Sequence, residues 1–153
     1  MEKNKILVDG SNIAFNRRSK QKKPKIENLQ ILLRFLRKFE QEFHVEFLII
    51  VDASLRYQID DKSQLEEWEK VGEITQCPKN HQSDDFLIEY GQKHPDNSII
   101  ISNDTFREYD TEGLTICNFL VMFNEIIIIP NLAQVIQPAR SIKIKGGQNV
   151  CKV

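Results

Sequence analysis

Three short, unbroken apolar runs in this chain stop at acidic positions. Residues 5–8 (KILV) run into Asp9, Val45–Val51 runs into Asp52, and Ser98–Ile101 runs into Ser102, Asn103 and Asp104. Strands that are apolar throughout, rather than at alternate positions, are those buried on both faces of a parallel sheet. Between them lie segments with helical spacing. Leu29, Leu32, Leu33, Phe35, Leu36 and Phe39 predict an amphipathic helix over residues 26–43, a polar helix is expected at 62–70, and another helix at 82–94, opened by Ser83. Short strands are expected at 73–75, 114–117, 119–123 and 125–129, with Asn118 and Asn124 as breaks. Strands alternating with helices predict a doubly wound α/β fold, a mostly parallel sheet in a three-layer α/β/α arrangement. The sequence is read as one domain over residues 1–132 followed by a surface tail at 133–153, the latter carrying Pro138, Gly146 and Gly147.

Ligands of open parallel sheets bind beyond the carboxyl ends of the strands. Asp9, Asp52 and Asp104 all fall there. Asp84 and Asp85 open a helix that follows a strand and loop, which places them at the same edge. Two carboxylates about 4 Å apart repel by roughly 1 kcal/mol even in water, so such a cluster holds either protons or a cation. Oxygen ligands without Cys or His favour Mg²⁺ or Mn²⁺ over zinc. Each acid has a local alternative. Asp9 beside Gly10 suits a turn, Asp52 and Asp104 suit caps, and Asp84 and Asp85 complement a helix dipole. Asn12 and Asn103 are candidate amides that orient a carboxylate or water, and Ser11 could donate to Asp9 or to a phosphate.

The segments DGSNIAF (residues 9–15), SDDFLIEYG (83–91) and IISNDTFREY (100–109) together resemble the NYN branch of the PIN-like nucleases. The likeness is nearest to the Regnase-like (CCCH zinc-finger) ribonuclease domain and covers residues 4–132, including NFLVMFNEIIIIPNL at 118–132. The resemblance implies a PIN-like fold and a Mg²⁺- or Mn²⁺-dependent endoribonuclease acting on single-stranded or stem-loop RNA. By motif position, Asp9, Asp84, Asp85 and Asp104 fall on the metal-binding acids and Asn12 on the site amide. Asp52 stands in VDAS, where Regnase-like domains carry a Pro-containing segment, and is a further candidate ligand. Hydrolysis would leave a 3′-hydroxyl and a 5′-phosphate, with no side-chain nucleophile.

The net charge is −1, so a polyanion needs a local patch. RRSKQKKPK at residues 17–25 supplies one just past the first acid, and Arg17, Arg18, Lys20, Lys22, Lys23 and, later, Arg107 are candidate phosphate contacts. Three irregularly spaced cysteines, Cys77, Cys117 and Cys151, predict reduced thiols and a cytoplasmic protein rather than a disulfide framework. No segment is long enough for a signal peptide or a membrane span, and a homodimer is left open as a partner state. The competing readings are another PIN-type nuclease (toxin-like, or a 5′-nuclease), a silent RNA-binding scaffold, and a phospho-receiver domain. The receiver reading lacks paired acids after the first strand and a lysine at a later one.

Overall fold

The computed structural model describes residues 4–16 and 23–136. Six strands form one sheet: β1 (Asn4–Asp9), β2 (Val45–Val51), β3 (Thr75–Gln76), β4 (Ser98–Ile101), β5 (Ile116–Met122) and β6 (Glu125–Ile129), in the order β3-β2-β1-β4-β5-β6. Every pairing is parallel except β5 with β6, which are antiparallel. The helices are α1 (Gly10–Phe15), α2 (Ile26–Glu42), α3 (Lys62–Lys70), α4 (Ser83–Lys93) and α5 (Leu132–Val135), with a 3₁₀ turn at Ala53–Tyr57. The chain steps outward from β1 to β2 and β3, then returns to place β4 on the other side of β1. The sheet therefore reverses direction between β1 and β4, where doubly wound folds bind their ligands.

Alternation along the strands divides the core. Ile6, Val8, Ile49, Val51, Ile99 and Ile101 point to the face covered by α1 and α2 and reached by Leu65 of α3. Leu7, Ile50 and Ile100 point to the opposite face, covered by Leu87 and Ile88 of α4 and by Phe106. Both faces are filled, which is why these strands read as continuous apolar runs.

The doubly wound sheet matches the expectation, with several local differences. Residues 114–117 and 119–123 were expected as separate strands, but 116–122 form one. Asn118 is exposed on the strand and pairs with Ile129, so a polar residue there sits on an uncovered face rather than breaking the ladder. Phe123 and Asn124, with φ of 52° and 59°, make a two-residue hairpin turn of the primed type. Residues 73–75 give way to a strand at Thr75–Gln76. Ser83 is the first residue of α4 rather than its cap. Ile136, beyond the expected domain end at 132, is buried in the core with Leu132. The rest of the expected tail, including Pro138, Gly146, Gly147 and Cys151, lies outside the described residues.

The expected turn at Gly10 is the first residue of α1. A Cβ there would lie 2.8 Å from Val51 Cγ1, 2.9 Å from Ile49 Cγ2 and 3.0 Å from the Ile50 carbonyl oxygen. Hydrogen alone allows α1 to start this close to β2. Gly10→Ala is expected to lower the unfolding free energy by about 1–3 kcal/mol through overpacking. Urea titration followed by tryptophan emission measures it; an unchanged midpoint would show that β2 yields freely.

Candidate active site

Asp9 ends β1 and caps α1, and its side chain is almost fully buried, at 4% exposure. One carboxyl oxygen accepts the Asn12 backbone N–H at 3.2 Å; the other accepts the Ser102 hydroxyl at 2.9 Å. Ser102 follows β4, the neighbour of β1, and its oxygen also accepts the Asp104 backbone N–H at 3.0 Å. Desolvation pushes the Asp9 carboxyl up to about 6, against the pull of these hydrogen bonds and helped by the charges of Asp52 and Asp104.

Asp84 lies half-buried in the first turn of α4, within the field of the other rim acids. Partial burial, then the charges of Asp9, Asp104 and Asp52, raise it to about 7. Asp104 also accepts the Phe106 N–H at 2.8 Å, which fixes the loop beyond β4. Asp85 faces outward and accepts a hydrogen bond from the Tyr109 hydroxyl, whose own pKa that bond raises. Asp52 accepts the Ser83 N–H at 2.9 Å and so caps α4 from another strand. All five acids expected at the rim are there. Asp9, Asp84 and Asp104 form its interacting centre, Asp52 adds charge beside them, and Asp85 points outward.

The polar residues divide differently. Asn12 accepts the Asn103 backbone N–H at 2.8 Å, tying α1 to the exit of β4. Asn103, a candidate site amide, binds β5, donating to the Phe119 carbonyl at 2.9 Å and accepting the Phe119 N–H at 2.8 Å. Ser11, expected to meet Asp9 or a phosphate, is buried, and its hydroxyl accepts the Asp52 N–H at 2.8 Å. In the structure both act as struts between elements. Arg107 is exposed just beyond Asp104, and Lys23 is exposed ahead of α2. Arg17, Arg18, Lys20 and Lys22 lie outside the described residues. Sequence reasoning missed the roles of Ser102 and Tyr109; the only signal was their presence in the motif around Asp104. A cleft of about 310 Å³ adjoins the acids, lined by Asp52, Ser54, Lys79, His81, Gln82 and Asp84.

The sequence of residues 2–123 matches the family model described as the Zc3h12a-like Ribonuclease NYN domain. The chain belongs to this ribonuclease family. Among solved structures, the NYN domain is similar to nuclear proteinaceous RNase P 2 from Arabidopsis thaliana. In one structure of that protein the TM-score is 0.59 at 13% identity, covering 80% of this chain and 29% of that one. In another, the values are 0.61 and 15%, covering 84% and 30%. The chain thus spans under a third of the RNase P chains it matches, and at these identities the likeness concerns the fold. No curated protein matches the chain.

The donor set of this NYN domain fits a hard divalent cation in its chemistry. Asp9, Asp52, Asp84 and Asp104 bring carboxylate oxygens to the rim, and His81 and Lys79 line the cleft beside them. Among the described residues, no group of three or more His, Cys, Asp or Glu side chains is placed to hold a metal ion. Mg²⁺ commonly keeps several waters and takes one or two protein carboxylates plus substrate phosphate, so it does not need three.

The raised acids carry a sign. The fold favours neutral Asp9 and Asp84, a stabilisation present below the ordinary value of 3.8 and lost as pH rises through about 6 and 7. In EDTA at about pH 8, Asp84→Asn is therefore expected to melt above wild type, with the gap closing toward about pH 4. Differential scanning calorimetry across that range would refute the coupling if the gap were independent of pH.

Proposed function

We propose that this domain is a divalent-metal-dependent endoribonuclease that hydrolyses single-stranded or stem-loop RNA. The observation that carries the reading is the gathering of acids at the edge where the sheet reverses: buried Asp9 ends β1, Asp52 follows β2, Asp84 opens α4, and Asp104 is tied to Asp9 through Ser102. Mutually repelling carboxyls are a standing demand for positive charge. Family membership supplies ribonuclease activity, and the carboxylate donors supply the choice of Mg²⁺ or Mn²⁺.

In this reading Asp84 and Asp104 hold the cation directly, and Asp9 completes its charge from beneath. Asp85, steadied by Tyr109, stands at the outer side, and Asp52 adds negative potential while capping α4. Bound there, the cation would polarise the scissile phosphate and lower the pKa of a water. Asn12, with its oxygen engaged by Asn103, keeps its amide nitrogen to orient a phosphate or that water. Ser102 holds Asp9 and the Asp104 backbone in register. Lys23, Arg107 and the basic residues Arg17, Arg18, Lys20 and Lys22 meet the phosphates of the RNA. The acids line an open rim rather than a closed pocket, which suits cutting within a strand.

The test is cleavage of labelled single-stranded and stem-loop RNA in Mg²⁺, Mn²⁺ or EDTA. Activity is expected with either metal and not with EDTA. Removal of groups that orient metal ligands typically costs 10–100-fold, so Ser102→Ala is expected to lose roughly that much activity. Asp9→Asn and Asp104→Asn are expected to lose at least about 100-fold while remaining folded. Wild-type rates in purified Asp9→Asn and Asp104→Asn would overturn the assignment.

A further inference from the structure

Away from the acids, α2 and α3 enclose a second cleft of about 510 Å³. Gln30, Arg34, Arg37, Lys38 and Gln41 of α2 line one side, and Trp68 of α3 lines the other. Positions 30, 34 and 38 are one helical repeat apart, with 37 and 41 beside them, so these groups share one face of α2. Arg37 is held by Glu73 at 2.5 Å. Arg34 and Lys38 are exposed and make no ion pair among the described residues. Trp68 is half-buried, its ring packed against the core while it also lines the cleft.

We propose that this cleft binds the single-stranded RNA that flanks the cut, with a base stacked on Trp68 and phosphates on Arg34 and Lys38. The inference rests on the ribonuclease reading and extends it to a second contact region. A basic groove paired with an aromatic ring is the chemistry that holds single strands without reading their sequence. Two free cations and two amides match a phosphate chain, and the half-buried indole is a pre-positioned stacking surface.

Continuity with the acid rim gives the same answer. The start of α2 is fastened to α1, which caps onto Asp9: the Lys25 N–H donates to the Ala14 carbonyl at 2.9 Å, and so does the Asn28 amide. The helix then runs away from the rim toward the opposite end of the sheet, where β2 begins. At 1.5 Å per residue, Arg34 and Lys38 lie about 12 and 18 Å along it from Ile26. Lys23 and Lys25 stand at its entrance. A strand leaving the acids along α2 meets positive charge first and the indole later.

Trp68 is the only tryptophan in the chain, so its emission reports this cleft alone. In the Asp104→Asn variant of the 153-residue chain, uridine oligonucleotides of about 5 and about 20 nucleotides would be titrated while emission and labelled-RNA anisotropy are recorded. Quenching is expected with the long RNA and little with the short one. Arg34→Ala with Lys38→Ala should reduce the ratio of long to short affinity about tenfold. Trp68→Leu should do the same, and Trp68→Phe should largely preserve the ratio. Unchanged emission with long RNA bound, or an equal loss for both lengths, overturns the inference. Quenching by polyglutamate but not by RNA also overturns it, in favour of an acidic protein partner. A wild-type chain that cuts no RNA in Mg²⁺ while Trp68 still responds would sink the catalytic reading and leave this cleft standing.

Discussion

The Asp9 carboxyl joins the two halves of the sheet at the point where they diverge. One oxygen starts α1 by accepting the Asn12 N–H, and the other takes the Ser102 hydroxyl from the far side of the reversal. Ser102 in turn receives the Asp104 N–H. A single buried group thus sets the start of a helix, the exit of a strand and the place of a second acid. Burial raises its pKa, and the hydrogen bonds oppose that rise without overcoming it. The site therefore carries electrostatic tension at its base, and Asp84 carries more at its mouth.

A second chain of contacts fixes the opposite wall. Ser11 of α1 accepts the Asp52 N–H, and the Asp52 carboxyl accepts the Ser83 N–H at the head of α4. Neither helix start relies on a neighbour in sequence alone. Gly10 completes the arrangement by letting α1 begin against β2. The acids are then presented by backbone held in place against the repulsion of their like charges.

Much of this was legible in the sequence. Apolar runs ending in acids located β1, β2 and β4, because burial on both faces leaves no alternation to confuse the reading. The five rim acids followed from the topology that such strands require. What could not be read was the internal wiring. The six-residue α1 is too short for a periodic signal, so Asp9-Gly10 looked like a turn. Ser102 gains its role only when β4 lies beside β1, and Ser11 and Asn103 looked free because their partners are backbone groups 41 and 16 residues away. Asn118 looked like a strand break because the sequence does not say which face of β5 is left uncovered. Asp52 looked uncertain as a ligand, and its carboxyl proves to serve as a cap for α4 as well as a rim charge.

The double duty of Asp9 bears on how such a domain could decay into an inactive relative. Its carboxyl is tied to backbone and side chain on both sides of the reversal, so replacing it by a side chain with no acceptor damages the scaffold together with the chemistry. Asp84 is half-buried amid the charges of Asp9, Asp104 and Asp52, and its loss removes a desolvated carboxyl and that repulsion. Mutational drift toward a silent binding module therefore meets least resistance at the mouth of the site, and descendants that no longer cut would still carry the aspartate at its floor.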